Sequence, residues 1–144
     1  MQLDQHFMAR AIRLARQGWY TTFPNPRVGC VLVKEGKILA EGWHEKAGEG
    51  HAEVNALAQI EDARGCTAYV TLEPCSHQGK TPPCADALIQ ACVTRVVCAM
   101  TDPNPQVAGQ GLAKLAKAGI DVKKDVLSSS AEALNPGFLK RMRT

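Results

Sequence analysis

A chain of 144 residues makes one ordinary domain, long enough to bury a real core. Its 17 basic and 14 acidic side chains are interspersed, and a net charge of +3 with only 5% aromatic residues gives no basis for a nucleic-acid partner. No apolar run approaches the length of a membrane span, and the N-terminus lacks a signal-peptide core, so no membrane partner and a cytoplasmic location are expected.

Taken in order, Asp4 is positioned to cap a first helix striped by Met8, Ala11, Ile12 and Ala15 and closed by Gly18. Residues 21–26 form a proline-fixed loop around Asn25. An apolar strand over 29–34, a tight turn at Glu35-Gly36-Lys37 and a returning strand over 38–43 make an antiparallel hairpin. A second helix starts near His51 and runs to Arg64-Gly65, followed by a short strand over 68–72. Pro82-Pro83 precede a third helix over 84–91, and a strand covers 95–100. A second proline-fixed loop surrounds Asn104. A fourth helix over 109–119 is striped by Leu112, Leu115 and Ala116, and 120–123 is an edge strand. Ser129 with Glu132 reads as a capping box for a last helix, interrupted by Asn135-Pro136. Strands alternating with helices after an opening hairpin predict a three-layer α/β/α sandwich on a mixed sheet.

Six cysteines in such a chain favour metal binding over disulfides. Cys30, Cys92 and Cys98 lie in apolar runs and read as buried small hydrophobes, and Cys66, beside Gly65, has no evident role. Cys75 and Cys84 stand apart in polar, proline-rich surroundings. Each alone reads equally as a buried thiol or half of a disulfide, and a lone His51 as a surface or cap residue. Together they form a Cys₂His set, suited to Zn²⁺ with one open coordination position. A structural zinc would need a fourth protein ligand; the candidates are His44, after a strand end, and His77, between the cysteines, and neither has recognisable ligand spacing.

Glu53 heads an apolar helical face formed with Ala56, Leu57 and Ile60, a costly place for a carboxyl without a partner. The plainer reading is an exposed carboxylate favoured at a helix N-terminus. With a metal set beside it, Glu53 suits a catalytic proton carrier. Two thiolates and a neutral imidazole cancel the charge of Zn²⁺, so a bound water is acidified less than at an all-histidine site, and a nearby base is needed. Cys84 opens the third helix, whose dipole should favour its thiolate, and His51 opens the second, so two helix starts should converge on the metal.

His51-Ala52-Glu53 followed by Pro74-Cys75 and a second cysteine matches the zinc deaminase signature, H-x-E then P-C-x-x-C, except that eight residues and not two separate Cys75 from Cys84. The string 72–84, with 24–31, 51–54, 102–109 and 134–143, resembles the deaminase half of the bifunctional deaminase/reductase of riboflavin biosynthesis, over essentially the whole chain. That resemblance implies a cytidine-deaminase-like fold with a five-stranded mixed sheet. It also implies a small phosphorylated substrate, a diaminopyrimidinone carrying a ribosylamino 5′-phosphate. In that family a reductase domain normally follows, so NADPH enters only if such a domain is present. Residues 1–144 are read as one zinc-dependent deaminase domain, either separate or part of a longer enzyme.

Candidate substrate contacts are Asn25 and Asn104 on a pyrimidine edge, Lys80 on phosphate or ribose, Asp102 on a ribose hydroxyl or amine, and His44 and His77. Asn-Pro pairs are also ordinary turn formers, and loop lysines are ordinarily solvated. The rivals are a deaminase of another nucleoside, base or tRNA adenosine, and a zinc-stabilised binding module without turnover. The edge strand and apolar helices make a homodimer or higher homo-oligomer an expectation.

Overall fold

A computed structural model describes residues 2–18, 27–44, 51–75, 84–101 and 108–133. Five strands, β1 (Gly29–Lys34), β2 (Lys37–Trp43), β3 (Thr67–Val70), β4 (Arg95–Cys98) and β5 (Asp121–Lys123), form one sheet in the order β2-β1-β3-β4-β5. β1 is antiparallel to β2 and β3, whereas β3, β4 and β5 run parallel, so the sheet is mixed as expected. The opening hairpin turns through Glu35 and Gly36, both at positive φ, which matches the twist of a two-residue turn.

β1 reads as continuously apolar because both of its faces are covered. Cys30 and Leu32 point into one core with α2 (Ala52–Leu57), α3 (Cys84–Gln90) and α4 (Gln110–Lys117); Val31 and Val33 point into the other with α1 (Gln2–Ala15) and α5 (Ser128–Glu132). The three-layer sandwich follows. Among the described residues no helix is long and apolar enough to cross a membrane.

Several local expectations need correction. Asp4 does not cap α1. It lies buried inside the first turn, where its carboxylate accepts from Tyr69 Oη at 2.7 Å, Arg95 Nη1 and Nη2 at 2.9 and 2.8 Å, and Lys123 Nζ at 3.2 Å. A bidentate guanidinium outweighs a local backbone N–H as a partner, so α1 is pinned to three strands. The Arg95 guanidinium holds the Asp4 carboxyl well below the usual carboxylate range, although burial opposes the shift.

The second helix stops at Leu57. Gln59 and Ile60 close short turns onto Ala56 and Leu57, and the Gln59 amide bonds both the N–H and the carbonyl of Glu41 on β2. Asn55 Nδ2 donates to the Trp43 carbonyl at 2.7 Å, so two amides four residues apart face the outer edge of β2. Ser129 is not the cap of α5 either: Leu127 holds that position at φ 59° with no side-chain cap, because the turn is set by the backbone. Cys92 is exposed, not buried, since its left-handed φ of 63° ends α3 and turns it outward, while Cys66 is fully buried. The Asn135-Pro136 interruption lies outside the described residues.

Candidate metal centre

The chain brings three metal-capable side chains together where two helices start. His51 is the N-cap of α2, in extended backbone, and Cys84 is the first residue of α3. Cys75 follows β3 by a short segment, residues 71–75, that is tied down at nearly every step. Thr71 exchanges bonds with Gly29, its N–H to the carbonyl at 3.1 Å and its Oγ1 accepting the Gly29 N–H at 3.1 Å. Glu73 N–H donates to Met100 O at 2.9 Å, and Cys75 O accepts from Ala85 N–H at 3.0 Å.

His51 Nδ1 lies 3.0 Å from Cys84 Sγ and 3.9 Å from Cys75 Sγ, and the three ligand atoms all fall within 4.8 Å of one another. Zinc bonds of about 2.0–2.1 Å to nitrogen and about 2.3 Å to sulfur, opened to a tetrahedral angle, separate such atoms by about 3.5–3.8 Å. The donor set therefore fits zinc with only small adjustment. Nδ1 is the imidazole nitrogen that faces both sulfurs and is the one available to the metal.

The electrostatics also favour a cation here. Cys84 donates its thiol and its backbone N–H, at 3.1 Å, to Cys75 Sγ; with His51 these hold the Cys75 thiol down at about 4. Cys84 is correspondingly pushed up, chiefly by the sulfur it serves. The first N–H of α3 also reaches the Cys75 sulfur, so that helix start faces both thiols of the set. His51 is raised by its bond to the Cys75 thiolate.

Glu53 is buried, 3% exposed, in the first turn of α2. Burial pushes its carboxyl up to about 7, against the opposing pull of a backbone hydrogen bond and of His51. A buried acid two residues after a member of the metal set is suited to passing protons at neutral pH.

What places Glu53 there is Gly42. A Cβ at residue 42 would stand 2.6 Å from both Ala52 O and Ala56 N, so α2 lies directly on the β2 backbone. His44, at the end of β2, is buried and meets the His51 ring edge-on with centroids 5.4 Å apart. It neighbours a ligand without joining the metal set, which among the described residues is His51, Cys75 and Cys84. Asn25, His77, Lys80, Asp102 and Asn104 lie outside the described residues. Sequence reasoning missed Thr71, Asn55 and Glu73. The signal for Glu73 was an acidic residue two before a ligand cysteine, in a chain whose fourth helix opens on Gly109-Gln110-Gly111 with no local capping side chain.

Residues 1–100 match the family described as the cytidine and deoxycytidylate deaminase zinc-binding region. The chain belongs to this family. Within it the deaminase domain is of the RibD type. It is 64% identical over 142 residues to riboflavin biosynthesis protein RibD of Escherichia coli strain K12, covering 98% of this chain and 39% of that protein. It is 54% identical to the diaminohydroxyphosphoribosylamino-pyrimidine deaminase of Buchnera aphidicola subsp. Schizaphis graminum, covering 98% of this chain and 97% of that one. A solved structure of Acinetobacter baumannii RibD superposes with a TM-score of 0.97 at 56% identity, over 99% of this chain and 40% of that one. The deaminase domain thus spans about two fifths of the length of the RibD proteins it matches and nearly all of the Buchnera protein. The fold is cytidine-deaminase-like, and His51, Cys75 and Cys84 are the metal set of its zinc-binding region.

Proposed function

We propose that the chain is a zinc-dependent aminohydrolase. It converts 2,5-diamino-6-(5-phosphoribosylamino)pyrimidin-4(3H)-one to 5-amino-6-(5-phosphoribosylamino)uracil with release of ammonia, a step of riboflavin biosynthesis. One observation carries the reading: a buried carboxyl, Glu53, in the first turn of the helix whose N-cap, His51, belongs to a Cys₂His set. The substrate comes from the Buchnera relative, whose length the chain almost matches.

His51, Cys75 and Cys84 would hold zinc, which supplies a Lewis acid and a water of lowered pKa. Glu53 takes a proton from the attacking water and delivers it to the ring nitrogen. It then takes the proton of the newly added hydroxyl and passes it to the leaving amine, so that the C–N bond breaks as the carbonyl forms. Burial keeps bulk water from competing for that proton. His44 packs against His51 and steadies its ring, and it can meet substrate from the same wall. Asn25, His77, Lys80, Asp102 and Asn104 are proposed substrate contacts on sequence grounds alone.

A homodimer or higher homo-oligomer in the cytoplasm completes the proposal, with NADPH entering only where a reductase domain accompanies the deaminase. Ammonia release measured on the diaminopyrimidine phosphate, cytidine and an adenosine-bearing RNA hairpin tests it. Turnover of the first alone is the expected result. Preference for another substrate selects a different deaminase, and no turnover by zinc-loaded protein selects a binding module.

A further inference from the structure

Glu73 is a buried acid outside the proton-transfer machinery. It is 6% exposed, and its carboxylate accepts three backbone N–H bonds from the start of α4: Gly109 at 2.9 Å on Oε1, and Gly111 at 2.8 Å and Leu112 at 3.2 Å on Oε2. The Ncap position, Gly109, offers no side chain for this task. A helix needing only a cap is served by an Asp or Ser at that position, at no cost of carrying a carboxyl into the interior from 36 residues away. Here the cap comes instead from the residue two before a metal ligand.

The approach is built for closeness. A Cβ on Gly111 would lie 1.9 Å from Pro74 O and 3.2 Å from Glu73 Oε2, so the α4 backbone sits directly against residues 73–74. On its other side Cys75 is bonded to the start of α3, through Ala85 N–H to its carbonyl and Cys84 N–H to its sulfur. The Lys114–Asp86 ion pair, at 2.6 Å, joins the two helices. Cys75 is therefore suspended between α3 and α4, and Glu73 is the α4 attachment.

We propose that Glu73 is a positioning residue for the metal centre: by closing on the first turn of α4 it fixes Pro74 and, through it, the place of Cys75 Sγ. The proposal rests on the Cys₂His set and leaves the choice of substrate open.

Glu73→Gln tests it, since the amide keeps the shape but turns an N–H₂ toward backbone donors. Outer-shell partners of metal ligands typically contribute roughly 10- to 100-fold in metal affinity, and a loss of that size is expected for Zn²⁺ in competition with a chelating dye. The cobalt-substituted protein should show a shifted or weakened thiolate-to-cobalt absorption. Asp4→Asn is the control. It breaks a buried carboxylate cluster on the opposite face of the sheet, so it should lower Tm while leaving zinc affinity and the cobalt spectrum unchanged. Should Glu73→Gln not fold, Glu73→Asp replaces it, with a shorter carboxylate and a smaller loss in the same direction. Zinc affinity within twofold of wild type and an unaltered cobalt spectrum in the variant that folds overturn the proposal. Wild-type protein inactive on the diaminopyrimidine phosphate would sink the functional reading and leave this comparison intact.

Discussion

Gly42→Ala probes the contact that puts the proposed proton carrier beside the metal set. The added methyl meets backbone on α2, Ala52 O and Ala56 N at 2.6 Å, and neither can rotate away. Ordinary contact begins at 3.4 Å, so α2 must recede by about 0.8 Å. Overpacking of this kind costs about 1–3 kcal/mol. For a chain of this size that lowers Tm by roughly 3–12 °C. The same retreat moves Glu53 and His51, which ride on the first turn, and lengthens the Asn55 bond to Trp43 O. Displacing reacting groups by about 1 Å costs roughly 10²-fold in rate. The assay is kcat for ammonia release at 20 °C, well below Tm, on protein of measured zinc content. A zinc-loaded Gly42→Ala protein with wild-type kcat and wild-type Tm would refute the claim that this close approach places the helix.

Glu53→Gln should keep zinc stoichiometry and lose at least roughly 10²- to 10⁴-fold in kcat, read by ammonia release beside metal analysis. Cys75→Ala or Cys84→Ala should lose zinc, and a chelator should then lower the Tm of wild type but not of the variant; equal chelator shifts would count against a metal centre in this cluster. Asp4→Asn should cost about 3 kcal/mol at pH 7, toward the low end for breaking a buried pair because Arg95 and Lys123 keep partial access to water. The folded carboxyl is depressed, so its contribution is complete above the unfolded value of about 3.9 and fades as pH falls below it. The gap in Tm between wild type and Asp4→Asn should therefore narrow from pH 7 to pH 3, and a gap that widens would contradict the assignment.

The metal set was legible because few residue types bind zinc, and His51, Cys75 and Cys84 kept recognisable neighbours around them. The sheet was legible because β1, covered on both faces, reads as a continuous apolar run. What stayed hidden has a common cause. Asp4 and Glu73 are acids whose partners stand far along the chain, Tyr69, Arg95 and Lys123 for one and the start of α4 for the other. A capping pattern reports only nearby backbone donors, so it misassigned the first and gave no hint of the second. Leu57 ends α2 because Gln59 finds Glu41 across the fold, a choice that helical periodicity does not register. Cys92 sits in an apolar run, yet a left-handed backbone at the end of α3 decides its exposure.

An open sheet ends twice, and each end can template pairing with a foreign strand. β2 would be the more dangerous end, since Ile38 and Leu39 are exposed along it. Gln59 and Asn55 already occupy backbone groups of Glu41 and Trp43, standing in for a neighbouring strand, while β5 has only three residues and ends at Lys123, followed by Lys124. The amides that hold α2 in register thus also cover part of the edge that a foreign strand would otherwise find open.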